Sequence, residues 1–181
     1  MMSKKYLIIK GSGRENGCTN TVCRELEAFL ENEDVVVFDT FREIFAPCNG
    51  CNFCEENGRC AHRDLDEFYK QFEECDRVIF LSPVYNGTFP APLKSLVDRF
   101  QVYYTSFYHN GKVQPIKKKR EAYLVVSSGR DGESAFNYMK GQLECAFTIL
   151  NIRLEGTFLC PYTDRGEDFS SVIDDIKRSL K

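Results

Sequence analysis

The stretch Lys5-Tyr-Leu-Ile-Ile-Lys-Gly-Ser-Gly-Arg-Glu-Asn-Gly-Cys-Thr-Asn20 decides the fold of this chain. Its apolar first part, Lys5 to Lys10, predicts a buried strand, and glycines follow the strand at once. From Thr19 to Asn32 apolar residues recur at helical spacing, at Val22, Leu26, Phe29 and Leu30. A strand, a glycine-rich loop and a helix in this order predict the first unit of an alternating α/β fold.

The same alternation continues along the chain. Further strands are predicted at Val35 to Phe38, Arg77 to Leu81, Glu121 to Ser127 and Arg153 to Leu159. Helices are predicted after a capping Asp64, from about Ala91, and over Glu133 to Leu150 and Asp168 to Leu180. Near-continuous apolar strands are typical of parallel sheets covered on both faces. We therefore expect one α/β domain over residues 1–181, with a doubly wound five-stranded parallel sheet in a three-layer α/β/α sandwich.

The bulk properties exclude several classes of protein. The chain has 181 residues, a net charge of −3 and two histidines, so no basic surface indicates nucleic-acid binding. The apolar run near the N-terminus is too short for a signal peptide, and no segment reaches the length of a membrane span. Nine cysteines, an odd number without an export signal, favour free or metal-bound thiols in the cytoplasm. Five of them are expected to be small buried fillers: Cys18, Cys23, Cys75, Cys145 and Cys160.

The other four cysteines crowd into one short segment. Cys48, Cys51, Cys54 and Cys60 have the spacing C-x2-C-x2-C-x5-C, which is dense enough for their sulfurs to converge. Sulfur coordination of this kind suits zinc or an iron–sulfur cluster, and successive C-x2-C steps occur in bacterial [4Fe–4S] sequences. The surrounding insertion, at about 40–63, contains so much Gly, Asn and Cys that no regular element is expected there.

Three loops follow predicted strands and therefore share one edge of the sheet, where such folds bind ligands. The first has glycines, short polar side chains and Arg14 before a helix, which favours a phosphate. Because no Gly-Lys-Ser/Thr follows, this phosphate is expected to be held and not transferred. The second loop, Ser82 to Thr88, turns at Asn86-Gly87 and offers the aromatic face of Tyr85. The third, Ser127 to Glu133, is also glycine-rich. Together the loops predict a planar, phosphorylated cofactor.

These motifs, taken together, resemble the flavodoxin-like NAD(P)H-dependent FMN reductases, and in particular their iron–sulfur flavoprotein branch. The matching pieces are the first loop, the cysteine quartet, Ser82 to Gly87, Leu93-Lys94 through Asp98-Arg99, and Ser127 to Gly132. The resemblance implies a flavodoxin-like domain that binds FMN. One departure is Cys18, which places a thiol beside the phosphate site and is itself expected among the cofactor-binding residues. The implied FMN ligands are Ser12, Arg14, Asn16, Thr19 and Asn20 for the phosphate, and Pro83, Val84, Tyr85, Asn86, Gly87, Thr88, Ser128, Gly129, Asp131 and Gly132 for the ring.

The resemblance also implies an activity. The expected function is an FMN-dependent oxidoreductase, with NAD(P)H or a ferredoxin-type carrier as electron donor and a [4Fe–4S] cluster on the quartet as a further redox group. No catalytic side chain is expected, because the flavin performs the chemistry. The alternatives are a non-enzymatic electron carrier of flavodoxin type and a zinc-stabilised module without flavin. The quartet could also keep free thiols or zinc.

Self-association is a further expectation. The resemblance implies that the protein is an obligate homodimer or homotetramer, with the flavin near a subunit interface. In this chain Phe100 to Tyr108 carries five aromatic residues at the end of a helix. Aromatic side chains are enriched at interfaces, so this segment is expected to contribute to an oligomer contact.

Overall fold

The computed structural model describes residues 3–181; the first two residues of the domain predicted over 1–181 lie outside the described part. The strands are β1 Lys5–Lys10, β2 Asp34–Asp39, β3 Arg77–Pro83, β4 Arg120–Ser127 and β5 Ile152–Cys160. The helices are α1 Cys18–Phe29, α2 Phe53–Asn57, α3 Asp66–Glu74, α4 Ala91–Asp98, α5 Gln101–His109, α6 Glu133–Leu150 and α7 Ser170–Ser179. A single 3-10 turn among these residues spans Thr163–Arg165.

The five strands form one parallel sheet in the order β2-β1-β3-β4-β5. Because all strands run the same way, the loops that leave their carboxyl ends gather at one edge. The strand order reverses between β1 and β3, where a crevice opens in folds of this kind. The sheet thus places the loops after β1 and β3 on the two sides of that crevice.

Both faces of the sheet are buried, because alternate residues of a strand point to opposite sides. In β1, Tyr6 and Ile8 pack into a core with helices α1 and α7, whereas Leu7 and Ile9 pack into a second core with α3, α4, α5 and α6. Residues 7, 8 and 9 are at most 1% exposed. The predicted three-layer α/β/α sandwich and its five parallel strands are confirmed.

Two of the helices differ from the prediction in where they begin or end. The bounds of β1 and α6 are as predicted, but the helix predicted from about Ala91 breaks at Arg99 and Phe100 into α4 and α5. The expectation that Asp64 caps α3 is wrong: the capping position is Leu65, without a side-chain hydrogen bond. Asp64 instead accepts hydrogen bonds from the backbone N–H of Ala46, at 2.7 Å, and from Arg99, at 2.7 Å.

Two other expectations need correction. The Cys-rich insertion does contain a regular element, the short helix α2. Among the five scattered cysteines, Cys23, Cys75 and Cys160 are buried as predicted and Cys18 is partly buried, but Cys145 is exposed on α6. Within residues 3–181, every helix is too short or too polar to cross a membrane.

Buried tyrosines give the fold a pH dependence. Burial raises the pKa of Tyr69 to about 12, and it also raises the pKa values of Tyr6, Tyr103 and Tyr123 above 10.0. The folded state therefore favours the neutral phenols, and this stability is complete below pH 10 and is lost as the pH rises toward 12. We expect the free energy of unfolding, measured by urea denaturation, to fall over this range. Tyr69→Phe should flatten the decline, and a constant stability from pH 9 to 12 would contradict the argument.

Candidate functional site

The loop after β1 begins at Gly11, whose backbone lies very close to β3 and α4. The Gly11 N–H donates to the Leu81 carbonyl at 2.8 Å, which ties the loop to β3. A Cβ atom at Gly11 would lie 2.7 Å from Leu93 Cδ2 and 3.1 Å from the Leu81 oxygen. Only glycine fits at this position without a shift in β3 or α4. The first loop is therefore anchored at the point where the strand order reverses.

The N-terminus of α1 follows this loop without a cap. Its capping residue, Gly17, offers no side-chain acceptor, and the first turn contains no acidic residue. The N–H groups of Cys18, Thr19 and Asn20 therefore have no acceptor within the helix, and the helix dipole adds positive charge there. The guanidinium of the exposed Arg14 belongs to the same loop. This arrangement can hold an anion.

Two predicted phosphate ligands have contacts that shape the loop itself. Asn20 is buried and its side-chain amide donates to the carbonyl oxygen of Arg14. The hydroxyl of Thr19 is 2.9 Å from that of Ser127, at the end of β4. The neighbouring Cys160 thiol, together with burial, raises the pKa of the Cys18 thiol, so the thiol is neutral near pH 7. These side chains position the backbone N–H groups.

The loop after β3 forms a tight turn. Tyr85 and Thr88 exchange two backbone hydrogen bonds, of 2.9 and 3.0 Å. The residues between them, Asn86 and Gly87, have φ values of 49° and 81°, so the positive φ expected for this pair is observed. The turn projects from the sheet edge and leaves 38% of the Tyr85 side chain exposed. An aromatic face and free backbone groups thus border the crevice.

The loops after β4 and β5 are bound to each other. The N–H of Ser128 donates to the Cys160 carbonyl, and the N–H of Thr163 donates to that of Ser128, both at 2.9 Å. Gly129 lies so close to Asp164 that a Cβ atom at Gly129 would be 2.7 Å from the Asp164 Cγ atom. The residues after β5 are a part of the site that the sequence reasoning missed, although their position at the same sheet edge could have indicated them.

These loops enclose one cavity of about 700 Å³ at the carboxyl edge. It is lined by nine of the predicted cofactor-binding residues: Ser12, Arg14, Asn16, Cys18, Thr19, Pro83, Val84, Tyr85 and Asn86, with Gly129 as a tenth. Six further residues complete the wall: Gly17, Thr21, Ser127, Thr163, Asp164 and Phe169. The remaining predicted residues lie outside this lining: Asn20, Gly87, Thr88, Ser128, Asp131 and Gly132. The size and the mixed polar and aromatic lining suit a phosphorylated, planar ligand.

The Cys-rich segment occupies a different place. It packs against α5, where the Cys54 thiol is 3.4 Å from the Thr105 hydroxyl, and none of its four cysteines lines the cavity just described. Cys48 and Cys51 are exposed, while Cys54 and Cys60 are partly buried. Four thiols suit a metal or a cluster in kind, yet no three potential metal ligands within residues 3–181 are gathered as a site. The segment would have to close for all four to bind one centre.

The fold and the cavity define the class of protein. Residues 4–152 match the model of the NADPH-dependent FMN reductase family, and the chain belongs to this family. It is 38% identical over 115 residues to an iron-sulfur flavoprotein of Methanocaldococcus jannaschii, covering 60% of this chain and 58% of the relative. It is 34% identical over 128 residues to the iron-sulfur flavoprotein of Methanosarcina thermophila, covering 68% and 63%.

Both matches are partial: the chain spans about three fifths of the length of these two relatives. Among solved structures, an FMN-dependent NADH-azoreductase from Bacillus anthracis, in complex with FMN, superposes with a TM-score of 0.70. The sequence identity is 18%, and the superposition covers 98% of this chain and 96% of that one. This likeness supports the flavodoxin-like α/β fold.

Proposed function

We propose that this protein is an FMN-dependent oxidoreductase that accepts electrons from NAD(P)H or from a ferredoxin-type carrier. The observation that carries the proposal is the cavity at the carboxyl edge, where an uncapped helix N-terminus faces an aromatic turn. Its residues fit FMN in kind: an anion site at one end, and backbone groups with an aromatic face at the other. The family to which the chain belongs supports the same assignment.

In this proposal the N–H groups that begin α1 would hold the phosphate of FMN, together with Ser12, Arg14 and Asn16. The ring would be held along the residues from Pro83 to Asn86, with Gly129 on its other side, whereas Gly87, Thr88, Ser128, Asp131 and Gly132 would support these two loops from outside the cavity. When bound, FMN supplies the transfer of a hydride or of single electrons. The sheet edge would position the ring, and Tyr85 would shield one side of it from water. No side chain is assigned a proton-transfer role.

Turnover with nicotinamide nucleotides tests this function. The FMN-loaded protein, mixed anaerobically with NADH or NADPH, is expected to show bleaching of the flavin bands and to oxidise the nucleotide when a quinone or azo compound is added. If the flavin stays oxidised with both nucleotides and is reduced only by a protein carrier, the non-enzymatic carrier function replaces this one. A protein that takes up no FMN would instead favour the module without flavin.

Gly129 gives a specific test of the cavity. In Gly129→Ala the new methyl group collides with the carboxylate of Asp164, so this side chain must leave its place in the cavity wall. We expect FMN to bind about tenfold more weakly, a loss of ~1.4 kcal/mol, in a fluorescence titration. The matched control is Gly141→Ala, in α6, where a Cβ atom meets nothing within 4 Å. That variant should gain ~0.5 kcal/mol of stability and bind FMN normally; equal FMN affinities would contradict the assignment of the cavity.

We also propose that Cys48, Cys51, Cys54 and Cys60 bind a [4Fe–4S] cluster. The thiol chemistry and spacing support this, and so do the names of the two iron-sulfur flavoproteins described above. Gly50, Asn52 and Gly58 have positive φ values, so the backbone between the cysteines already turns tightly. All nine thiols are free, which supports a reducing location such as the cytoplasm.

A homodimer or homotetramer is the proposed assembly. In α5, Tyr103 is buried, but Tyr104 and Tyr108 are 47% and 49% exposed, with their rings 4.6 Å apart. Tyr138 of α6 is 62% exposed. Exposed aromatic side chains in adjoining helices suit contact with a second copy. Sedimentation equilibrium should show an oligomer at micromolar concentration, and a monomer there would contradict this proposal.

A further inference from the structure

Arg99 is a buried cation between α4 and α5, and its side chain is 1% exposed. Such a charge is costly to bury unless it is paired and hydrogen-bonded. The hydrogen-bond acceptors of its guanidinium all lie within residues 46–64, which contain the cysteine quartet. Nη1 donates to the Ala46 carbonyl at 2.6 Å, and Nη2 donates to the His62 carbonyl at 3.2 Å and to Asp64 Oδ1 at 2.7 Å.

These contacts join the two ends of one segment. Ala46 precedes the first cysteine of the quartet, and His62 and Asp64 follow the last. The Asp64 carboxylate closes the arrangement, since its other oxygen accepts the Ala46 N–H at 2.7 Å. A single guanidinium therefore holds both ends of the segment together. The planar fork of an arginine can do this, whereas the single ammonium of a lysine cannot reach all three acceptors.

The third nitrogen of Arg99, Nε, is buried without a hydrogen-bond acceptor. Such atoms are rare: Gln114 Oε1 and Arg120 Nε are the others among residues 3–181, and each calls for a physical explanation. Cys60 is a near neighbour in the chain of one of these contacts, since it lies two residues before His62, whose carbonyl accepts from Nη2. A metal-bound thiolate at Cys60 would carry the negative charge that this environment favours, and its sulfur can accept a hydrogen bond.

We propose that Arg99 is the positioning residue of the cysteine quartet: it fixes the two ends of residues 46–64 side by side, and its Nε–H donates to the sulfur of Cys60 when a metal is bound. The first part concerns the protein without metal. The second part rests on the proposed metal binding by the quartet. Arg99 shares no contact with the FMN cavity, so the two sites should respond separately to its replacement.

The test compares Arg99→Lys with Arg77→Lys, which alters another buried arginine whose partners are Glu121, Tyr6 and Leu180. Amide hydrogen exchange is measured on the metal-free, FMN-loaded proteins. We expect exchange in residues 46–64 to speed up at least tenfold in Arg99→Lys and not in Arg77→Lys, with FMN affinity unchanged in Arg99→Lys. Equal exchange in this segment for both variants would overturn the proposal, because Arg99 would then be an ordinary core residue.

Two further measurements keep the proposal testable. If Arg99→Lys does not fold, Asp64→Ala removes the carboxylate that bridges Arg99 and Ala46, and it should speed exchange in the same segment; unchanged exchange would overturn the proposal. In the wild type, the Nε–H NMR signal of Arg99 should shift when zinc or iron with sulfide is added. Metal uptake without such a shift would overturn the second part. If the wild type takes up no metal, the cluster assignment and that second part both fail, and hydrogen exchange still decides the first.

Discussion

A variant with serine at positions 48, 51, 54 and 60 is expected to bind FMN as tightly as the wild type and to take up no iron or sulfide under anaerobic reconstitution. Serine hydroxyls do not replace thiolates as ligands of an iron–sulfur cluster, so the loss of metal should be complete. FMN should be unaffected because none of the four cysteines lines the cavity at the sheet edge. The fold should also persist, because Cys48 and Cys51 are exposed and a serine at 54 can keep the contact with Thr105.

The matched control for this variant is Cys145→Ser, which changes another exposed cysteine, on α6. It should take up iron, sulfide and FMN as the wild type does. Metal and sulfide analysis, combined with the visible spectrum, reports both cofactors in one sample. If the quadruple variant and the control contain the same amount of iron, the quartet is not the ligand set.

Replacing Arg77 by methionine should cause a large loss of stability. Arg77 lies at the start of β3 and is 7% exposed. It donates to Glu121 at 2.6 Å, to the Tyr6 hydroxyl at 3.1 Å and to the Leu180 carbonyl, and thereby joins β1, β4 and the end of α7. Removing one partner of a buried ion pair costs about 3–5 kcal/mol. Glu121 is 37% exposed, so water can hydrate its carboxylate once Arg77 is removed. We therefore expect the free energy of unfolding to fall by about 3 kcal/mol, the lower end of this range.

Chemical denaturation measures this loss of stability, and an FMN titration shows whether the cavity is affected as well. Arg77 lies at the amino edge of the sheet, whereas the cavity lies beyond the carboxyl edge, so the folded variant should keep its FMN affinity. Arg153→Met serves as control, since its pairing with Glu155 is on the surface and its side chain is 78% exposed. That change should cost less than about 0.5 kcal/mol. Similar losses in the two variants would contradict the role of burial.

The fold could be predicted from local pattern because each strand is an apolar run and each long helix has an apolar stripe. The strand β1 and the helix α6 illustrate this, since their bounds follow from the sequence alone. The break between α4 and α5 could not be predicted in this way. Leu96, Phe100 and Tyr103 continue one apolar stripe across the break, so the apolar pattern alone predicts an unbroken helix.

Part of the candidate site could likewise be predicted from the sequence, and part could not. The loops after β1, β3 and β4 were identified because parallel strands bring them to one edge, and the cavity contains ten of the residues named from these loops. Asp164 was missed because its place depends on the tight contact with Gly129, which no local motif records. Asp64 was misassigned because an aspartate before a helix suggests a cap, whereas its charge is matched by a buried arginine.

The paired ends of the Cys-rich segment have a consequence for protein engineering. Since residues 46 and 64 are held side by side, the chain between them can change in length or composition without moving β2 or α3. A short turn or a metal-binding loop could be grafted there while the cavity at the carboxyl edge stays intact. The scaffold can therefore serve as a host in which the Cys-rich segment is exchanged independently of the cavity at the sheet edge.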